Sequence, residues 1–426
     1  MEDAQVVSGV YDVVVVGAGI MGSCTAYEVA KRSRSVMLLE QFDFLHRRGS
    51  SHGESRTIRA TYPEDYYTAM MQEAFELWEQ AQAEAGYMVH TKTCHLDFGP
   101  AENKSLHAVI SACKKHGVPV EILSSKEVAH RFDVFQLPEN WVALRTAKGG
   151  VLHASKAVAM FQQLAQKNGA VLRDRTKILR IHPGWRLPSG ESGVLVVTGR
   201  GAALGRRCIL TAGSWTNKIV KELSGFELPI QPLHTTYAYW AIGKDHSDLF
   251  SVEKGFPTFA CYGQPYIYGS PSLEYPGLVK ISLHSGSPCD ADTRIVAPDW
   301  KPLKEIVSPW IASHMHGKVK HEDPVMAEAC IYSMTPDQDF ILDFLPVPDA
   351  KEHQAGSILV AAGFSGHGFK MGPLIGRVMA DLAIFGTSSD IPLEYFTLAR
   401  FCRHAKGNHK DFEEQVHSLH LMNLTG

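Results

Sequence analysis

The stretch Gly277–Leu278–Val279–Lys280–Ile281–Ser282–Leu283–His284 sets a lysine and a histidine four residues apart among alternating apolar side chains. In an extended strand Lys280, Ser282 and His284 point to one face, and Val279, Ile281 and Leu283 point to the other, toward a core. The ammonium and the imidazole then originate roughly 13 Å apart on a polar face. A fixed ammonium can stabilise negative charge where it develops in a reaction. Tyr266 and Tyr268 share a face by the same alternation, as do Cys330 and Tyr332 in Ala329–Cys330–Ile331–Tyr332. Half-exposed strands alternate in this way too, so the pattern alone leaves a solvent-facing sheet open.

Two glycine-rich turns carry a second kind of chemistry. Gly17–Ala18–Gly19–Ile20–Met21–Gly22 matches G-x-G-x-x-G. It follows the β-branched run Val13–Val16 and opens a segment of helical character. The first glycine permits a tight turn, the second lets the backbone approach a pyrophosphate, and the third lets helix pack closely on strand. The helix N-terminus then faces the phosphates. Glu40 ends the next apolar strand, Val36–Leu39, where a carboxylate accepts ribose hydroxyls. This context predicts a bound dinucleotide. Glu40 disfavours NADP, whose 2′-phosphate it would repel, and leaves NAD and FAD open. The second turn, Gly363–Phe364–Ser365–Gly366–His367–Gly368–Phe369–Lys370, sits between a strand and a helix. Its glycines let backbone N–H groups approach a ligand, and the helix dipole favours negative charge there. A reduced flavin develops such charge at its N1–C2=O2 edge. A structural turn ending in a solvated lysine fits the local sequence as well.

The elements that must position these groups follow from the apolar pattern. Tyr11 to Glu40 reads strand–turn–helix–strand, with Ser23 to Arg32 helical, and His46 to Arg59 reads as a polar loop. Helices are predicted over Tyr66–Ala85, Ala157–Lys167 and Pro373–Phe385, and strands at Cys208–Leu210 and Ile358–Val360. From about Leu233 to Ser285 short Tyr-, Val-, Ile- and Phe-rich strands alternate with Gly and Pro turns, as in a mixed or antiparallel sheet. Cofactor segments flank that region. Two interleaved domains are therefore expected: a dinucleotide-binding one from 8–92, 147–230 and 335–390, and a substrate or catalytic one from 93–146 and 231–334. Residues 391–426 form a C-terminal extension, and its basic and polar tail from Arg400 is expected to be peripheral. The fold class is α/β with α+β, a Rossmann-like cofactor domain interleaved with a mixed or antiparallel substrate sheet.

Bulk properties exclude several classes. The 426 residues, 45% hydrophobic and 20% charged, suit a globular chain rather than a disordered one. A net charge of −3 offers no basic surplus for nucleic acid or an anionic membrane. No His or His/Cys spacing of the zinc type occurs, so no metal is expected. No apolar stretch approaches the ~20 residues that cross a bilayer. The opening MEDAQVVSGV lacks the pattern of a secretory leader, and the 8 scattered cysteines read mostly as reduced core filler. An intracellular soluble protein is expected.

Five blocks, in order, carry a family resemblance: GAGIMGS with LLEQFDF, RRGSSHGESRTIR, YIYGSPSLEYPGLVKISLHSG, CIYSMTPDQDFILD and AAGFSGHGFK. From about Tyr11 to Phe385 the chain resembles the monomeric sarcosine oxidase and L-pipecolate oxidase family of FAD-dependent amine oxidases, and most of all its eukaryotic members. The resemblance implies FAD, joined by a thioether from Cys330 to the flavin 8α-methyl. It implies cofactor contacts for Gly17, Ala18, Gly19, Ile20, Met21, Gly22, Glu40, Gln41, Ser51, His52, Ser55, Arg56, Gly213, Gly363, Gly366, His367, Gly368 and Lys370. Arg59 and Lys370 match two cations that hold the substrate carboxylate, a guanidinium fork and an ammonium point charge. Arg56 matches an arginine near the flavin ring, Tyr268 and Tyr332 match aromatic residues lining the cavity, and His284 matches a histidine close to the substrate amine. Lys280 matches the oxygen-activating lysine, a role that needs its charge. Ser333–Met334 stand where relatives often carry Thr–Asn, so the wall beside Tyr332 is expected to differ. The terminal Leu424–Thr425–Gly426 is not the Ser-Lys-Leu address, which leaves peroxisome and cytosol both open.

The implied reaction is oxidation of a secondary α-amino acid such as sarcosine or L-pipecolate. Hydride passes from the carbon beside nitrogen to flavin N5, an imine forms, and O2 is reduced to hydrogen peroxide. No Asp or Glu in the matched blocks stands out as a general base, so the cationic site is expected to lower the amine pKa. The expected partners are a small amino acid and O2, with no nucleic acid and no membrane, for a monomeric enzyme. The alternatives are an oxidase of a bulkier N-methyl or cyclic amine, a same-fold dehydrogenase using another acceptor, and a silent flavoprotein serving as a binding module.

Overall fold

Four consecutive valines, Val13–Val16, leave a strand with no polar face, and such a strand must be covered on both sides. In the computed structural model, which describes residues 6–346 and 356–412, they do form the centre of a sheet. The strand Val6–Val16 lies between Gly201–Leu210 and Val36–Leu39, parallel to both, and Ile358–Ala362 and Val171–Arg173 extend the sheet in parallel on either side. Ile341–Phe344 adds an antiparallel edge, and the hairpin Ile178–Arg186/Ser192–Thr198 pairs with Gly201–Leu210. Val13 and Val15 pack under the helices Ile20–Lys31, Asp65–Ala85, Ala154–Lys167 and Gly372–Phe385. Val14 and Val16 face the opposite layer, with Val194, Val196, Val220 and Leu228. The predicted helices are present, each beginning one to three residues earlier than expected.

A second sheet of ten strands runs Ser287–Pro288, Gln231–Ala241, Leu278–Leu283, Ile267–Pro271, Thr258–Cys261, His90–Pro100, Trp141–His153, Ser55–Arg59. Met326–Met334 pairs with Gln231–Ala241, and Glu121–Ser124 pairs with Trp141–His153. All pairings are antiparallel except Thr258–Cys261 on His90–Pro100. Register places Thr235 opposite Cys330 and Tyr239 opposite Lys280. One face packs an aromatic core that includes Phe98, Trp240, Phe259 and Trp310.

Sheet membership crosses the expected boundaries at 92 and 147. Ser55–Arg59 is the edge strand of the second sheet, paired with Gly149–His153, and His90–Pro100 passes residue 92 unbroken. The polar-loop reading of His46–Arg59 missed this strand because Ser-Arg-Thr-Ile-Arg has one apolar side chain in five. Its polar side chains serve a cavity instead of solvent. Among the described residues no helix is long and apolar enough to cross a membrane. The terminal tripeptide lies outside the described residues.

Candidate active site

The glycine turn behaves as its spacing requires. Gly17 has φ +98°, and a Cβ there would lie 2.6 Å from the Thr211 carbonyl oxygen. A Cβ on Gly22 would lie 1.8 Å from the Gly17 carbonyl oxygen, so only glycine lets the helix rest on the strand. Ser51 Oγ accepts from the Ile20 N–H at 3.0 Å. Glu40 accepts from the N–H groups of Ala18 at 2.9 Å and Phe42 at 3.0 Å. Burial opposes its charge, but His46 and these two N–H groups outweigh burial and hold the carboxyl below its ordinary pKa.

These residues open onto a cleft of about 1720 Å³. Of the expected cofactor contacts, Gly17, Ala18, Gly19, Ile20, Met21, Glu40, Gln41, Ser51, Arg56, Gly213, Cys330, Gly366 and Gly368 line it. Ser55, His367 and Lys370 line a second cavity instead. Gly22 is spent on packing, and Gly363 turns the chain at φ +66° against Thr335. His52 is buried beside Tyr237, with ring centroids 6.3 Å apart, and burial together with Arg56 pushes its imidazole down to about 3. A cradle in which Cβ atoms would collide with backbone, opening on a cleft that Glu40 and Cys330 both line, fits FAD.

The second cavity, about 1320 Å³, shares five lining residues with the first: Arg56, Cys330, Tyr332, Gly366 and Phe369. A reactive ring held there would face both. Arg56 is fixed by donating to the carbonyls of Ser50 (2.9 Å), His52 (2.7 Å) and Ser55 (2.7 Å). Gly366 is required at this junction, since a Cβ would lie 2.7 Å from the His284 ring and 2.9 Å from that of Tyr332. His284 stands 5.2 Å from both Tyr266 and Tyr332 and meets Tyr268 edge-on at 6.4 Å. The strand alternation therefore holds for Lys280, His284, Tyr266 and Tyr268, all of which line the cavity rather than solvent. Ser282 does not line it; its Oγ accepts from the neighbouring strand at the Ala238 N–H.

Arg59 and Lys370 come together on Tyr62. The Arg59 guanidinium lies 4.6 Å from that ring centroid, and Lys370 Nζ lies 5.5 Å away. Lys370 Nζ donates to Tyr62 Oη at 3.0 Å and to the His367 carbonyl at 2.9 Å. Burial, then the positive charges of Arg59 and Arg56, hold its pKa well below the ordinary lysine value. Arg59 Nη1 donates to Asp97 at 2.8 Å and to Tyr262 Oη at 2.7 Å. Sequence reasoning missed Asp97 and its neighbour His95, which contacts Asp97 at 3.0 Å and Thr258 Oγ1 at 2.8 Å. His95 and Asp97 alternate on one strand face, so the rule that found Lys280 and His284 would have found them.

Lys280 is buried, and its Nζ donates to the Ser55 carbonyl at 3.0 Å and to Ser55 Oγ at 3.2 Å, over the Tyr237 ring at 4.2 Å. Burial, reinforced by Arg56, pushes its ammonium down to about 7. The C-terminal tail corrects a further expectation. Far from being peripheral, Arg400 is buried against Asp337, and Lys410 and Phe412 line the second cavity.

Comparisons with known proteins bear on the family and the fold. A family profile described as FAD dependent oxidoreductase matches residues 12–382. The probable sarcosine oxidase of Arabidopsis thaliana is 48% identical over 412 residues, covering 96% of this chain and 97% of the relative. The peroxisomal sarcosine oxidase of Homo sapiens is 38% identical, covering 92% and 96% respectively. Among solved structures, NikD, an unusual amino acid oxidase, superposes with a TM-score of 0.77 at 24% identity, covering 92% of this chain and 98% of that one. That likeness speaks for the fold.

Proposed function

The chain belongs to the FAD-dependent oxidoreductase family, and from that premise we propose that it oxidises small secondary α-amino acids of the sarcosine or L-pipecolate type with O2 as acceptor. The observation that carries this reading is a cavity with the buried cations Arg59 and Lys370 that opens on the expected seat of the flavin ring. When bound, FAD supplies a hydride acceptor and a route for electrons to O2. Arg59 and Lys370 hold the substrate carboxylate, and its negative charge opposes the burial that lowers the Lys370 pKa. Asp97 and Tyr262 fix one nitrogen of Arg59, leaving the rest of the guanidinium for the substrate. His284, Tyr268 and Tyr332 enclose the amine, and the surrounding cations favour its unprotonated form. Cys330, on the shared wall, is the residue proposed to tether the flavin, and Lys280 is the one proposed to meet O2.

Anaerobic addition of sarcosine or L-pipecolate should bleach the flavin, and air should restore its colour with release of peroxide. If no N-alkyl or cyclic amino acid bleaches it, the proposal is wrong. Catalysis by a monomer in the peroxisome or cytosol completes the reading, to be checked by light scattering and cell fractionation.

A further inference from the structure

The chain from Ala399 to Phe412 is fastened to the substrate cavity by several bonds. Arg400 donates to Asp337 from Nε at 2.7 Å and from Nη2 at 3.3 Å, and Nη2 also reaches the Asp339 carbonyl at 2.9 Å. Asn408 gives its backbone N–H to Asp337 Oδ2 and its side-chain N–H to Asp339 Oδ2, both at 2.8 Å. Lys410 Nζ bridges Glu64 at 2.9 Å and Asp339 at 2.8 Å. Gly407 has φ +74°, and a Cβ there would lie 2.1 Å from Asp337 Oδ2, so the tail approaches this carboxylate as closely as only glycine permits.

Asp337 and Asp339 are fully buried and follow directly on the strand Met326–Met334 that carries Cys330 and Tyr332. Buried carboxylates are costly unless paired, and here the tail supplies cations and N–H groups that pair them. The same segment contributes wall to the cavity through Lys410 and the half-buried Phe412, beside Glu64 and Gln338. Glu64 and Asp339 balance the charge of Lys410, and Phe412 is the aromatic side chain that the tail places on this wall.

We infer that Phe412, held in place by the Arg400–Asp337 and Lys410–Asp339 clasp, is a specificity-determining residue whose ring limits the space open to the substrate's side chain. This rests on the proposed amino-acid oxidation. Full-length Phe412→Ala and Gly407→Ala holoenzymes test it in two ways. The first compares kcat/KM for sarcosine with that for an N-methyl amino acid bearing an aromatic side chain. The second compares calorimetric binding of acetate and indole-3-acetate, which needs no turnover. Phe412→Ala is expected to raise the bulky-to-small ratio by about fivefold or more in both, within the range that pocket-size changes produce. Gly407→Ala, which displaces the tail without removing the ring, should move the ratio the same way. A Phe412→Ala ratio unchanged within about twofold, or a fall in it, overturns the inference. If wild-type flavin is bleached by no amine, the oxidation reading fails while the carboxylate titrations still decide the role of the tail.

Discussion

The oxygen role proposed for Lys280 joins two requirements that pull against each other. Stabilising charge on reduced oxygen needs an ammonium, yet burial beside Arg56 brings its pKa down to about 7. A depressed lysine pKa means that the charged form prevails below about 7 and is lost as pH rises through it. The oxygen half-reaction, measured by stopped flow after anaerobic reduction, should therefore slow as pH rises through that region. Lys280→Met should reoxidise orders of magnitude more slowly than wild type below about pH 7, with the two converging as pH rises and no pH step in the variant, while its reduction by amine persists. Equal slowing of both half-reactions in the variant would argue against the assigned role. At this scale the sequence was informative wherever chemistry sat on an alternating strand, as with Lys280, His284, Tyr266 and Tyr268. The same alternation puts His95 and Asp97 on one face, but it does not show their partner, because Arg59 reaches Asp97 from another strand, 38 positions earlier.

Elements were legible where their faces were plain. Val13–Val16, the glycine turn and the three long helices all have a one-sided or fully apolar pattern that burial alone explains. Ser55–Arg59 was not legible, because a strand whose polar side chains face an internal cavity looks like a loop to any reading that equates polar with solvent. The tail escaped for a related reason. Arg400 and Lys410 read as surface charges until buried aspartates far earlier in the chain are brought beside them. The glycine turn also gives the element-scale prediction. Gly22→Ala puts a methyl within 1.8 Å of the Gly17 carbonyl oxygen and 2.6 Å of Thr211 Oγ1, so the helix Ile20–Lys31 must lift from its strand. The expected loss is about 1–3 kcal/mol in denaturant melts, with weaker FAD retention. Unchanged stability and flavin content would show that this contact is not holding the cradle.

Across the whole molecule, the dinucleotide cradle belongs to one sheet and Cys330 to the other. A thioether at Cys330 would therefore tie the second sheet to a cofactor whose other end lies in the first. Acid-precipitated wild-type protein should stay yellow, and Cys330→Ser should release its flavin to the supernatant. Release from the wild type would refute the tether.

The five residues common to both cavities have one more consequence, and it concerns what the substrate chamber is built from. The two cavities meet along the residues they share. A flat ring held among Arg56, Cys330, Tyr332, Gly366 and Phe369 would stand between them, a structural panel of the substrate chamber as well as its reagent. The shape of the substrate chamber would then depend on the cofactor as much as on the chain, so a change at any of these five residues would be felt on both sides.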